Sequence, residues 1–286
     1  MAVETKVLRM KLWFVKFAAC FTLSMAMAGT ARAADQMLRV QTTPMEVIVA
    51  LISKESSAAK ARPAYLYTSY ERSDRTNGRL WKERVADLPE GRIRMLVEED
   101  GRPLDACRQQ AERERVKQIA GDSEALQKDV HAQQEDSQRA QRMLDLLPKA
   151  FLFERVGQEG RYTRIAYRPN PEYTPKSFEE RVMHAMHGTV LVDEREFRLH
   201  QLEGRLEKDV SFGMGLLATL RSGSSFSTIR EEVAPSIWKV AKMQTRFDGR
   251  AIFFKTINRQ QQSEHSEFKA LPERTTITQA VELLLQ

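Results

Sequence analysis

Within the stretch RVMHAMHGTVLVD, residues 181–193, two Met–His pairs stand three residues apart, Met183-His184 and Met186-His187. Thioether sulfur and imidazole nitrogen suit soft copper, and positions three apart on a helix share a face. A copper or zinc site at Met183, His184, Met186 and His187 is therefore one reading. Two imidazoles leave a zinc shell incomplete, however, and no acidic or cysteine partner stands at ligand spacing nearby. The preferred reading is a helix end. Ser177 and Glu180 make a capping box behind Pro175, the helix covers residues 178–187, and Gly188 is the residue expected just past it. Val182, Met183 and Met186 then face the core, and both histidines sit in a last turn that favours positive charge. No metal and no other cofactor is expected.

Other chemistry is weaker still. GMGLLA, from Gly213 to Ala218, matches the loose dinucleotide fingerprint, with Glu231 further on. That motif needs a parallel strand–turn–helix unit, and the SGSS turn follows too soon. The glycines read instead as a bent or bulged strand. No G-x-S-x-G elbow occurs. Glu98-Glu99 and Glu231-Glu232 are neighbours on strands, so their side chains point to opposite faces. His131, His200 and His265 read as polar-side residues. No catalytic residue is assigned, and the chain is expected not to be an enzyme.

Elements must be read from the ends inward. Residues 1–33 carry a basic start, an apolar run at 17–29 and Ala31-Arg32-Ala33, the pattern of an export signal cleaved between Ala33 and Ala34. A lipoprotein box ending at Cys20 is the lesser alternative. The whole chain holds 45 basic and 39 acidic residues. Five of those bases and one acid lie in the leader, so the remainder is only +2 and lacks a basic, aromatic-laced face for nucleic acid. Cleavage would leave Cys107 alone, which excludes an internal disulfide framework. No apolar run after the leader reaches the length of a membrane-spanning helix.

Thr43, Pro44 and Glu46 predict a capped helix over 43–58, with Ile48 and Ile52 on its apolar face and a solvated tail, SKESSAAKARP. Strand patterns follow from Ala64, with Asn77-Gly78 as a hairpin signal and Ile93, Met95 and Val97 on one face. Residues 103–147 are polar and helical, broken at Gly121-Asp122-Ser123, and read as a solvated insertion on or projecting from a sheet. Leu144, Leu146 and Leu147 re-enter the core before Pro148. Further strands run nearly to the end, with EKDVSFGMGLLATL as one of them and Asp248-Gly249 as another hairpin turn. A short helix, TTITQAVELLL, closes the chain.

Apolar residues recur two apart on these strands: Phe151 with Phe153, Ile165 with Tyr167, Trp238 with Val240, and Ile252 with Phe254. Trp81 and Met95 can join them. They read first as filled core and second as the wall of an apolar pocket.

A leader, a capped first helix and long antiparallel strands resemble the periplasmic lipoprotein-carrier superfamily of the LolA, LolB and RseB type. YRPNPEYTP, then a helix, then GTVLVDEREFRLHQLEG, is similar to text in outer-membrane lipoprotein-sorting proteins. The expected fold is α+β: a large curved antiparallel sheet of ten or eleven strands, an open or half barrel, in one exported domain over 34–286. Helices 43–58 and 177–187 cover it. The resemblance implies a non-catalytic periplasmic protein holding a lipid, a lipoprotein acyl chain or an envelope peptide. The alternative is an interaction or sensor module acting through helices 103–147.

Overall fold

Alternating burial along Tyr65–Arg72, Trp81–Leu88 and Gly91–Glu99 builds β1, β2 and β3, a meander with one long and one tight reversal. At the first, a 3-10 turn at Asp74–Thr76 precedes Asn77 (φ 52°) and Gly78 (φ 74°), the left-handed pair that the dipeptide favours. This computed structural model describes residues 42–58, 63–212, 218–251 and 255–286. The leader with Cys20 and its Ala33–Ala34 site, Gly213, Gly215, Ile252 and Phe254 lie outside the described residues.

The remaining strands are β4 (Arg102–Pro103), β5 (Phe151–Glu159), β6 (Tyr162–Pro169), β7 (Met186–Asp193), β8 (Arg198–Leu206), β9 (Val210–Phe212), β10 (Ala218–Leu220), β11 (Ser225–Ala234), β12 (Ile237–Ala251) and β13 (Lys255–Ala270). Helices are α1 (Pro44–Ala58), α2 (Ala106–Gly121), α3 (Ser123–Ala150), α4 (Phe178–His184) and α5 (Ile277–Leu285). The fold is α+β, as expected. Its sheet is antiparallel and runs β4-β3-β2-β1-β13-β12-β11-β8-β7-β6-β5, with β9 and β10 attached beside β12. β4 and β5 stand at the two ends of that order, so the sheet is open and not closed into a barrel.

Caps form where the residue types demand them. Thr43 Oγ1 accepts from the Glu46 amide at 3.3 Å while Glu46 accepts from the Thr43 amide at 2.7 Å. Ser177 accepts from the Glu180 amide at 3.0 Å at the start of α4. Asp122 caps α3 through the Ala125 amide at 2.9 Å, at the predicted break.

Residues 103–147 are helical, polar and largely exposed, as expected, and they lie on the sheet: α2 and α3 are the crossover between its two edge strands. Leu126 of α3 sits over Gly91 beside β3, while Met143 packs with α1 against β5 and β6. At 28 residues α3 is ~42 Å long, close to the ~48 Å that eleven flat strands would span. It also runs through Pro148 to Ala150, although Pro148 has no N–H to donate to the Leu144 carbonyl one turn back. Two other expectations need correction. Asp248-Gly249 is not a turn. β12 continues through it to Ala251, and a Cβ on Gly249 would collide with the Thr219 carbonyl of β10. Finally, Val210–Phe212 and Ala218–Leu220 are two short strands paired antiparallel, Phe212 opposite Ala218, not parts of one strand.

Register also divides the core. Val190, Leu202, Thr228, Met243, Ser263 and Glu71 pair in succession and therefore share one face. Leu66, Ala86 and Ile93 pair on the other. The first face packs under α1, α4 and the end of α3, through Ile48, Leu51, Met143, Met183, Phe151 and Ile165. On the opposite face, Val116 of α2 and Ala280, Val281 and Leu284 of α5 cover Ala86, Leu88, Ile93 and Met95.

Candidate functional site

Beneath α1 the packing leaves a cavity of about 90 Å³. Ile48, Leu51, Ile52 and Glu55 of α1 form its roof, at i, i+3, i+4 and i+7 along one helical face. Leu144 and Leu147 of α3 and Met183 of α4 close its sides. Its floor is the sheet: Phe151 and Phe153 of β5, Tyr167 of β6, Met186 and Val190 of β7, Leu199 and Leu202 of β8, and Phe226, Thr228 and Arg230 of β11.

One end of this apolar chamber is charged. Glu55 and Arg230 are each about 1% exposed, and Arg230 Nη1 donates to Glu55 Oε2 at 2.5 Å. Arg230 Nη2 donates to the Trp238 carbonyl at 3.1 Å. The other carboxylate oxygen, Oε1, accepts from the Leu199 amide at 3.2 Å and lies 3.1 Å from Arg198 Nε. Burial, with Arg230 close by, lowers the Arg198 pKa from its ordinary value, and Glu55 offsets this only in part. Arg198 Nη2 is buried without a hydrogen-bond partner among the described residues. Thus one carboxylate on a helix ties down two guanidiniums on the sheet.

Two glycines shape the chamber wall. A Cβ on Gly188 would strike the Glu203 carbonyl, and one on Gly204 would meet Phe226. Their absence lets the Tyr167 hydroxyl cross both strands to donate to the Glu203 carbonyl at 2.7 Å, and burial raises its pKa.

Of the residues expected to wall a pocket, Phe151, Phe153 and Tyr167 line this cavity. Ile165 packs in the same cluster. Met95 lies on the opposite face under α2 and α5. Trp81 donates to Glu99 at 3.1 Å and stacks with Arg75, 5.2 Å from its ring. Trp238, fully buried, packs edge-on to Tyr162 and His200, and Val240 packs with Met243. Ile252 and Phe254 fall outside the described residues. Glu55, Arg198 and Arg230 were not legible as a site from the sequence alone. Glu55 stands in a tail read as solvated, yet it continues the apolar stripe of α1, and a charge on such a stripe implies a buried partner.

The Met–His segment is not one helix end. α4 stops at His184 and β7 begins at Met186, so His184 and His187 sit on different elements. Pairing of His187 with Arg205 and of Gly188 with Gly204 draws this segment into the sheet. His184 Nε2 bonds the Asn170 carbonyl at 2.8 Å, and His187 faces Glu207 at 3.4 Å. Met183 and Met186 are buried in different clusters. Among the described residues no group of three or more His, Cys, Asp or Glu side chains could hold a metal ion.

A wider cleft of about 820 Å³ lies on the opposite face, across Thr189, Glu203, Ser227, Gln244, Gln262 and Arg72, which register places in one row. Its walls are polar strand side chains, with Arg205 and Arg246 exposed. Cys107 is exposed on α2.

No family model, curated protein or solved structure matches the chain. Among the described residues no helix is long and apolar enough to cross a membrane.

Proposed function

We propose that the protein is a non-catalytic carrier, acting after export, that buries an acyl chain of a lipid or lipoprotein beneath α1. The observation that carries this reading is the apolar chamber roofed by a helix whose far end is fastened through one carboxylate. The leader pattern and the resemblance to periplasmic lipoprotein carriers support it from the sequence.

Size decides what state the chamber is in. At about 90 Å³ it is smaller than the ~150 Å³ cavity that admits benzene, and far below the ~300–1,000 Å³ of ordinary ligand pockets. The form described here is therefore closed, and an acyl chain enters only as α1 lifts from the sheet. Each methylene buried then contributes about 0.8 kcal/mol. The cleft on the other face has the volume, but polar and charged strand residues dominate its lining, with Phe226 as the one large apolar side chain among them.

An uncharged pyrene-alkyl probe tests the reading. Saturable fluorescence enhancement is expected with the wild type, and Leu202→Trp, which fills the chamber floor, is expected to abolish it while leaving the circular dichroism spectrum intact. Undiminished binding to a folded Leu202→Trp variant, or no saturable binding to the wild type, would sink the carrier reading.

A further inference from the structure

An acyl chain alone gives no reason for the charged end of the chamber. A buried Arg–Glu–Arg cluster generally contributes no more stability than apolar side chains of the same size. Its geometry is nonetheless that of a carboxylate receptor. Glu55 Oε2 takes Arg230 Nη1 at 2.5 Å, and Oε1 takes the Leu199 amide at 3.2 Å with Arg198 Nε 3.1 Å away. Arg198 also keeps a buried Nη2 with no hydrogen-bond partner among the described residues. Nearby carboxylates are engaged elsewhere: Glu196 accepts from Trp238 Nε1, and Glu232 from Arg161 and the Ser236 amide.

The carboxylate in this receptor belongs to the lid itself. Lifting α1 withdraws Glu55 and strands two buried guanidiniums, which is strongly unfavourable. An incoming anion removes that penalty by taking over the same donors.

We propose that Arg198, Arg230 and the Leu199 amide form the headgroup site for a long-chain carboxylate, and that Glu55 is the internal carboxylate that this ligand displaces as α1 opens. The inference rests on the carrier reading and adds the ligand class to it. The tail lies along Ile48, Leu51 and Val190, while the head exchanges with Glu55 in the same ion pair; no covalent bond changes. The latch thereby couples opening to the ligand's charge.

Displacement of the uncharged pyrene-alkyl probe from the full chain by tetradecanoate and by tetradecanol provides the test. Tetradecanoate is expected to bind about tenfold or more tightly than the alcohol, as one buried charge-assisted pair would give. Arg198→Gln is expected to collapse that ratio towards one, and a ratio as large as the wild type's would overturn the site. Equal affinity of acid and alcohol for the wild type overturns the headgroup site but leaves the carrier reading standing. Absence of saturable probe binding removes both. Should Arg198→Gln fail to fold, the wild type still decides through carboxyl-¹³C tetradecanoate. A bound carboxyl that stays ionised well below the range of the free acid supports the site, and one that titrates like the free acid overturns it.

Discussion

Burial and two arginines act on His265 in the same direction. The ring lies 5.1 Å from that of Tyr67, its Nδ1 meets the Val240 carbonyl at 3.0 Å, and Arg94 and Arg92 add positive potential. Burial chiefly, then those arginines, push its pKa down to about 4, against the hydrogen bond to Val240 and the charge of Glu71. A folded-state pKa below the unfolded one means that the unfolded chain takes up the proton first. The contribution of His265 to stability is therefore complete above pH ~6.5 and drains away as pH falls towards 4. Because the ring retains some surface, about 2–3 kcal/mol is expected over that window. Urea unfolding of wild type and His265→Gln at a series of pH values measures it: their difference should be flat above pH ~6.5 and narrow or change by that amount below. A constant difference throughout would show that the ring titrates normally. The sequence places His265 in polar text, and only the folding of Tyr67 and β12 against it makes a half-buried imidazole. Glu55 is the same kind of case. Its place on the stripe of Ile48, Leu51 and Ile52 is written in the helix period, whereas Arg198 and Arg230 come from strands far along the chain.

At the scale of elements, local pattern succeeds where one element decides its own boundary. The caps at Thr43, Ser177 and Asp122 and the strand alternation of β1 to β3 all follow from neighbours within four residues. Pattern misleads where a distant strand claims the same residues. Gly188 looks like the end of a helix but is needed beside Glu203, and Gly249 looks like half of a turn but clears the path of β10. That difference is measurable. Gly249 lacks a positive φ, so Gly249→Ala suffers from the collision with the Thr219 carbonyl and not from backbone strain. It is expected to lose about 1–3 kcal/mol, the range for overpacking. Gly157 of β5 also lacks a positive φ and has open space around its Cβ position. Gly157→Ala should therefore stay within about 0.5 kcal/mol of wild type. Thermal unfolding of the two variants side by side gives the answer, and equal melting temperatures would restore Asp248-Gly249 as an ordinary turn.

For the whole molecule, the polar helices 103–147 pose the sharpest question, because their composition resembles that of a detachable insertion. Topology assigns them another task. β4 and β5 are consecutive strands placed at opposite ends of an open sheet, and only a connection as long as α2 plus α3 joins them. Along the way Val116 is fully buried under α5, Arg113 donates to the Leu285 carbonyl at 2.9 Å, and Met143 and Leu144 pack beneath α1. Few apolar residues suffice because each helix offers only a narrow stripe to a different face of the sheet, which is why composition hides their role. Replacing residues 104–149 by a flexible Gly/Ser linker should therefore remove parts of both cores at once. The expected product shows no cooperative thermal transition and loses its near-ultraviolet circular dichroism. A variant that still melts cooperatively close to the wild-type temperature would mean that the sheet stands without its crossover. The same variant would then return the helices to the role of an appended interaction module, with the cavity beneath α1 covered by α1 and α4 alone.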